Sequence, residues 1–182
     1  MREYPKDSRK YCVLDTSSIL RILRSSKPLQ ECIFIIPSIV LKEIKDVETK
    51  FLLETGKIAF SVIEPAKKSI EDVVRIANQL GLSNDLSRTD ISVIATALDL
   101  IRRGHEVIVF TEDYGIQNLC AYLGIEFESV IDRKIKVVLR AYKKCKICGE
   151  VFNPVLLECP SCGSKDFIII RKRVSRLNTK QS

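Results

Sequence analysis

Tyr11-Cys-Val-Leu-Asp15 is an apolar run that ends in an acid, and residues 17–24 behind it carry the pattern of a helix. A short buried strand that stops at a carboxylate and turns into a helix opens a β/α unit. The rhythm then repeats. Ile33-Phe-Ile-Ile36 reads as a second strand closed by Pro37, with Ser38 capping a helix that carries Val40, Leu41, Ile44 and Val47 at helical spacing. Residues 58–63 form a third strand, and residues 70–80 a helix ended by Gly81. Ser87 opens the longest helix, which runs to Arg103. Residues 106–111 are a fourth strand, 114–123 a helix stopped by Gly124, and 126–130 a fifth strand. Strands rich in Val, Ile and Phe without polar alternation are buried on both faces. Helices between them imply an α/β domain with a mostly parallel sheet covered by helices.

Composition narrows the class. The chain has 182 residues, 46% hydrophobic and 29% charged, enough for one ordinary domain and a small appendage. No apolar run approaches the ~18 residues needed to span a bilayer. Residues 1–10 are polar and charged, unlike a signal peptide, so a cytoplasmic protein without a membrane partner is expected. Seven cysteines are an odd number, which speaks against a fully paired disulfide framework. Cys12, Cys32 and Cys120 stand alone in apolar surroundings and read as buried thiols. The other four fall within eighteen residues of each other, as thiolates do when they ligate metal in a reducing compartment. The net charge of +7 is uneven: from Ala141 onward nine Lys/Arg stand against three Asp/Glu, and before it 21 against 20. A neutral body with a basic tail suits a polyanion-binding appendage, although a solvated surface gives the same composition.

Four acids stand out by position. In a parallel α/β sheet, ligands bind beyond the carboxyl ends of the strands, where Asp15 and Asp113 fall. Glu43 shares a helix face with Ile39, Val40 and Val47, and Asp90 with Leu86, Val93, Ile94 and Ala97. A carboxylate on a core-facing stripe needs a reason, because burying it unpaired is expensive. Each also has a purely structural role open to it. Asp15 and Asp113 precede helices and could be N-caps, Asp90 follows Ser87 at capping-box spacing, and Glu43 could lie at an open helix edge. Taken together they point to metal. Converging carboxylates repel, no Lys or Arg on those faces offsets them, and a cluster of hard oxygens is what Mg²⁺ or Mn²⁺ prefers. Such ions activate water for displacement at phosphorus. With His105 the only histidine, histidine-based catalysis has little to work with.

At these residues the chain resembles a family. Val13-Leu-Asp15-Thr-Ser-Ser, Ile39-Val-Leu-Lys-Glu43-Ile, Leu86-Ser-Arg-Thr-Asp90 and Phe110-Thr-Glu-Asp113-Tyr look like the four acidic motifs of PIN-domain nucleases, in order, over residues 10–131. The resemblance implies a PIN-like three-layer fold and a divalent-metal-dependent endoribonuclease. Asp15, Glu43, Asp90 and Asp113 would be its catalytic, Mg²⁺- or Mn²⁺-binding acids, with Thr16, Ser17 and Thr111 as candidates to support them.

Farther on, Cys145-Lys-Ile-Cys148-Gly and Cys159-Pro-Ser-Cys162-Gly form two matched knuckles separated by ten residues. Two thiolates from each complete a tetrahedral Cys₄ shell, which is closed and therefore structural: one zinc per chain, standing in for the core so short a segment lacks. Lys143, Lys144, Lys146, Arg171, Lys172, Arg173 and Arg176 frame the knuckles as candidate RNA contacts. Tyr142, Phe152 and Phe167 interleave with them, either as stacking surfaces or as the ribbon's own mini-core.

The expected organisation is therefore a PIN-like nuclease domain over residues 8–131, a linker over 132–141, a zinc ribbon over 142–173 and a flexible basic tail over 174–182. That pairing is similar to the Nin-one-binding family of ribosome-biogenesis endonucleases, in a compact, archaeal-type form. The resemblance implies cleavage of precursor small-subunit rRNA near its 3′ end within a pre-ribosomal particle, with a KH-domain assembly factor as a candidate partner. Two rivals remain: a toxin-like PIN ribonuclease acting on tRNA or mRNA, and a non-catalytic RNA-binding assembly factor. A haloacid-dehalogenase-type phosphatase would need a second Asp two residues after Asp15, where Ser17 stands.

Overall fold

The computed structural model describes residues 10–24, 32–56, 59–83, 85–130, 137–154 and 156–176. Five strands, β1 (Lys10–Leu14), β2 (Cys32–Pro37), β3 (Phe60–Ile63), β4 (Val107–Phe110) and β5 (Glu126–Glu128), form one sheet in the order β3-β2-β1-β4-β5. Every pairing is parallel. The chain builds outward from β1 on one side, then returns to lay β4 along β1's other edge, with Leu14 opposite Phe110. The order thus reverses between β1 and β4, and a crevice opens at the carboxyl ends of those two strands.

Helices cover the sheet: α1 (Thr16–Arg24), α2 (Ser38–Glu43), α3 (Val47–Glu54), α4 (Lys67–Leu80), α5 (Arg88–Arg102) and α6 (Tyr114–Leu123). α5 is central, touching β1, β2 and β4 as well as α2, α4 and α6. Ile91, Val93, Ile94, Ala95, Ala97 and Leu100 are all buried, which is why its apolar residues run round most of the helix instead of along one stripe. On its far side Asp99 accepts the Ala66 N–H and the Ser69 hydroxyl, so it starts α4 at Lys67, earlier than the apolar spacing suggested.

Three sequence expectations are corrected. The helix expected from Ser38 through Val47 breaks after Glu43. Asp46 accepts the Thr49 N–H at 2.8 Å and caps a separate α3, leaving Val47 79% exposed instead of on the core face. The cap position of α2 is Pro37, not Ser38, and no side chain bonds there. Cys12 and Cys32 are not lone thiols: they are joined across β1 and β2, whereas Cys120 is free and fully buried.

The C-terminal part is an antiparallel sheet of β6 (Val137–Cys145), β7 (Val151–Phe152) and β8 (Phe167–Arg176) in the order β7-β6-β8. Of the linker expected over 132–141, residues 137–141 are already strand, and the rest lies outside the described residues. Of the expected tail, residues 174–176 continue β8 and 177–182 lie outside. The physical reason is docking. The Asn118 amide accepts from Leu139 N–H at 2.8 Å and donates to its carbonyl at 2.9 Å, acting as one rung of a ladder between α6 and β6. Val138 and Ala141 are buried, and Arg171 pairs with Asp85 at 2.8 Å. At Gly81, which ends α4 with φ +70°, a side chain would start 2.6 Å from Ala141 Cβ and 2.8 Å from Pro154 Cγ. Glycine there serves both the left-handed turn and the close approach of the two parts.

Candidate active site and metal centre

β1 delivers Asp15 to the crevice, its N–H extending the ladder to the Phe110 carbonyl at 3.3 Å. The carboxylate is buried and held on three sides. Oδ1 accepts the Ser18 N–H at 2.6 Å and the Ser17 hydroxyl at 2.9 Å, and Oδ2 accepts the Thr111 hydroxyl at 2.6 Å. Thr111, wholly buried at the end of β4, also accepts the Asp113 N–H at 3.0 Å. One hydroxyl thus ties together the two acids at the ends of adjacent strands.

Asp113 is exposed and caps α6, its Oδ1 accepting the N–H groups of Gly115 at 2.7 Å and Ile116 at 3.0 Å. Asp90 is half-buried in a reciprocal capping box. Its Oδ2 accepts the Ser87 N–H at 2.7 Å, while Ser87 Oγ accepts the Asp90 N–H at 3.2 Å. The structural and chemical readings of these two acids are therefore compatible, because each cap engages one carboxylate oxygen and leaves the other for a ligand. Glu43, exposed at the end of α2, accepts from the Thr89 hydroxyl and from the Thr16 hydroxyl at 3.5 Å. The neighbours of Asp90 and Asp15 thus draw it toward them. Thr89 is a contact that sequence reading missed. It sits 46 residues from Glu43, and nothing local marks it.

The aspartates feel one another's charge. Burial pushes the Asp90 carboxyl above its ordinary range, the Ser87 bonds pull against this, and the charges of Asp113 and Asp15 push it further up. Among the described residues no Lys or Arg forms an ion pair with any of the four acids. The carboxylates are not drawn as close together as the four thiols are. Mg²⁺ keeps several waters and takes only one or two carboxylates directly, so it does not require acids gathered as tightly as the thiols.

The thiols form the tighter centre. Sγ atoms of Cys145, Cys148, Cys159 and Cys162 all lie within 4.8 Å of one another, with Cys145–Cys162 at 3.6 Å and Cys148–Cys159 at 3.5 Å. Four sulfurs at ~2.3 Å from a central ion would stand about 3.8 Å apart, so the cage is the right size for a tetrahedral ion. Each knuckle closes by the same bond, Gly149 N–H to the Cys145 carbonyl at 3.1 Å and Gly163 N–H to the Cys159 carbonyl at 2.8 Å. Backbone N–H groups, that of Cys148 first, hold the Cys145 thiol down to about 6, in the range of a ready metal ligand.

The candidate RNA contacts divide. Lys143 donates to the Leu156 carbonyl at 2.7 Å and lies over the Phe167 ring; Lys146 pairs with Asp166, and Arg171 with Asp85. Lys172 and Arg140 approach the Tyr142 ring. Lys144 and Arg173 are exposed, with no ion pair among the described residues, and the Arg176 side chain lies outside them. Phe152 and Phe167 meet edge to face and pack with Cys145 and Cys159. They are the ribbon's mini-core, not stacking platforms.

The family described as PIN domain of ribonuclease matches residues 12–100, a stretch holding Asp15, Glu43 and Asp90. Endoribonuclease Nob1 of Archaeoglobus fulgidus is 33% identical over 156 residues, 86% of this chain and 89% of that protein. Endoribonuclease Nob1 of Pyrococcus abyssi is 35% identical over 142 residues, 75% and 83% of the two. Ribonuclease VapC3 of Aeropyrum pernix is 34% identical over 121 residues, 64% of this chain and 84% of that one. No helix among the described residues is long and apolar enough to cross a membrane.

Proposed function

This chain belongs to the PIN-domain endoribonucleases of the Nob1 family, and from that membership we propose that it cuts precursor small-subunit rRNA near its 3′ end during ribosome maturation in the cytoplasm. In this reading residues 8–131 are the nuclease body, and the sheet of β6, β7 and β8 is a zinc ribbon that grips RNA. The observation that carries it is the set of four carboxylates around the strand-order reversal with no ion-pair partner among the described residues, where burial raises Asp90 and the charges of Asp113 and Asp15 add to it. A site that repels phosphate is useful to a nuclease only once cations fill it.

Asp15, Asp90, Asp113 and Glu43 would hold Mg²⁺ or Mn²⁺. Bound there, such an ion supplies an activated water for attack at phosphorus and positive charge for the oxygen that leaves. The chain's own contribution is preorganisation. Three hydrogen bonds fix the Asp15 carboxylate before any ligand arrives, and Thr111 couples it to the backbone of Asp113. The caps on Asp90 and Asp113 orient their remaining oxygens at no cost in rotamer freedom during turnover. In the ribbon, zinc would sit in the thiolate cage and brace β6, β7 and β8. Lys144 and Arg173, exposed on paired strands, are the foremost phosphate contacts.

The test is incubation with a precursor rRNA fragment, with and without Mn²⁺, and mapping of the cut ends. One metal-dependent cut near the mature 3′ end is expected. Cleavage of tRNA or mRNA in preference to that fragment would favour the toxin-like reading. Binding without cleavage would favour an assembly factor.

A further inference from the structure

Beside the acids, between α2, α4 and the start of α5, the body carries a groove of ≈ 480 Å³. Its walls are aliphatic, with Ile39 on α2, Val74 on α4, and Leu86 and Ile91 on the α5 side. Its rim is polar, with serine hydroxyls and the charged ends of Glu64 and Arg88. The groove and the acids share supports. Ser87 lines the groove while its N–H holds Asp90, and Ile39 stands one turn before Glu43 on α2. Arg88 adjoins Thr89, which holds Glu43.

We propose that the groove takes one nucleobase of the RNA strand, next to the bond that is cut. The proposal rests on the nuclease reading above and adds the contact that would place the strand. A base has two apolar faces and a polar edge, matching aliphatic walls and a hydroxyl-lined rim. Proteins that read single-stranded RNA splay its bases out and seat their faces against aromatic or apolar side chains, with the polar edge hydrogen-bonded. The volume is that of a small-ligand pocket, on the scale of ~300–1,000 Å³, room for a nucleoside but not for a packed protein helix. Charge agrees: Arg88 is exposed and has no ion pair among the described residues. It sets one cation beside an otherwise anionic centre, where the phosphate next to the seated base would run.

The experiment uses the full chain and a short fluorescein-labelled RNA that it cuts, with single abasic positions introduced in turn. Affinity is read by anisotropy without divalent metal, and the cut by gel with Mn²⁺. One position flanking the cut should bind about 10- to 100-fold more weakly when abasic, the loss expected when a side-chain-sized apolar surface is no longer buried, while the others change little. Val74→Met and Ser83→Leu, alone and together, add aliphatic bulk to the lining at exposed positions. In them intact RNA should bind as weakly as the abasic strand, with unchanged melting temperature and the same bond cut at saturating enzyme. Equal, small effects at every position, or an abasic penalty that persists in the filled variants, would overturn the groove assignment while leaving the nuclease standing. Failure of the wild-type chain to cut any RNA would overturn both.

Discussion

Replacing Thr111 by Val removes one hydroxyl and little volume, and it tests whether the two strand-end acids are held as a unit. In the wild-type chain that hydroxyl donates to Asp15 Oδ2 at 2.6 Å and accepts the Asp113 N–H at 3.0 Å, in a site with no solvent access. Losing a hydrogen bond to an ionised acceptor costs about 1.5–3 kcal/mol, and an orphaned N–H about 1–2 kcal/mol more, offset by roughly 1 kcal/mol for the extra buried methyl. A net loss of ~2–4 kcal/mol lowers Tm by about 5–15 °C in a chain of this size. Asp15 also loses the contact that fixes its second oxygen, and removal of such a supporting bond weakens metal binding by about 10- to 100-fold. Calorimetry on the metal-free protein and a Mn²⁺ titration of RNA cleavage read the two effects. Thr111→Ser keeps the hydroxyl and should recover most of the metal response, although it loses a core methyl. A Thr111→Val protein with wild-type Tm and the same Mn²⁺ midpoint would refute the linkage.

Asp90→Asn should abolish cleavage yet raise the Tm of metal-free protein by roughly 2–4 °C, because the amide oxygen still serves the capping box while the cost of burying a charge and the repulsion both disappear. Since the folded chain raises the Asp90 carboxyl, its proton favours folding. That contribution is complete below the unfolded carboxylate range and is lost as pH rises through the raised value. Pairwise urea melts across the acidic range should show this slope in wild type and not in Asp90→Asn. Mass spectrometry under native conditions should find one zinc per chain, and Cys148→Ser should remove it and loosen the ribbon; a metal-free wild-type chain would refute the cage. Reduction of Cys12–Cys32, 20 residues apart, should lower stability by ~3 kcal/mol, and an unchanged mass on reduction would show the bond absent. Lys144→Ala with Arg173→Ala should flatten the log–log salt slope of single-stranded RNA binding by about 1.4, and an unaltered slope would remove both from the phosphate contacts.

Much of the body was legible because buried parallel strands and amphipathic helices leave apolar periods that need no partner to be seen. Val107–Phe110 is buried at every position and reads as such. What was not legible depends on register between distant segments. The Cys12–Cys32 pair is diagonal across β1 and β2, a relation fixed only when Lys10 falls opposite Cys32 and Cys12 opposite Phe34. The break after Glu43 was misread because Ile44 continues the apolar period and is buried, whereas Asp46 caps a new helix immediately after it. At the site, four acids could be chosen from their positions at element ends, but Thr89 could not. The apparent linker was misjudged for a related reason: Val138 and Ala141 are too few to form a core alone, and their burial comes from the neighbouring helices.

The loop between α4 and α5 bears on both halves of the molecule at once. At its start Gly81 receives Ala141 and Pro154, and Asp85 pairs with Arg171 of β8. At its end Ser87 holds Asp90. In between, the Asp85 carbonyl and Leu86 lie so near Gly115 that a Cβ there would meet them at 3.4 and 3.1 Å, and the Asp113 carboxylate at 3.0 Å. Segments that place the ribbon and segments that place two acids are therefore continuous over a few residues. The docked ribbon is then a fixed extension of the active site, not a tethered hook, and RNA bound along β6 and β8 would approach the acids at a set distance. A basic surface held in register with a cutting centre can select where a strand is cut, whereas the same charges on a free tether would supply affinity alone.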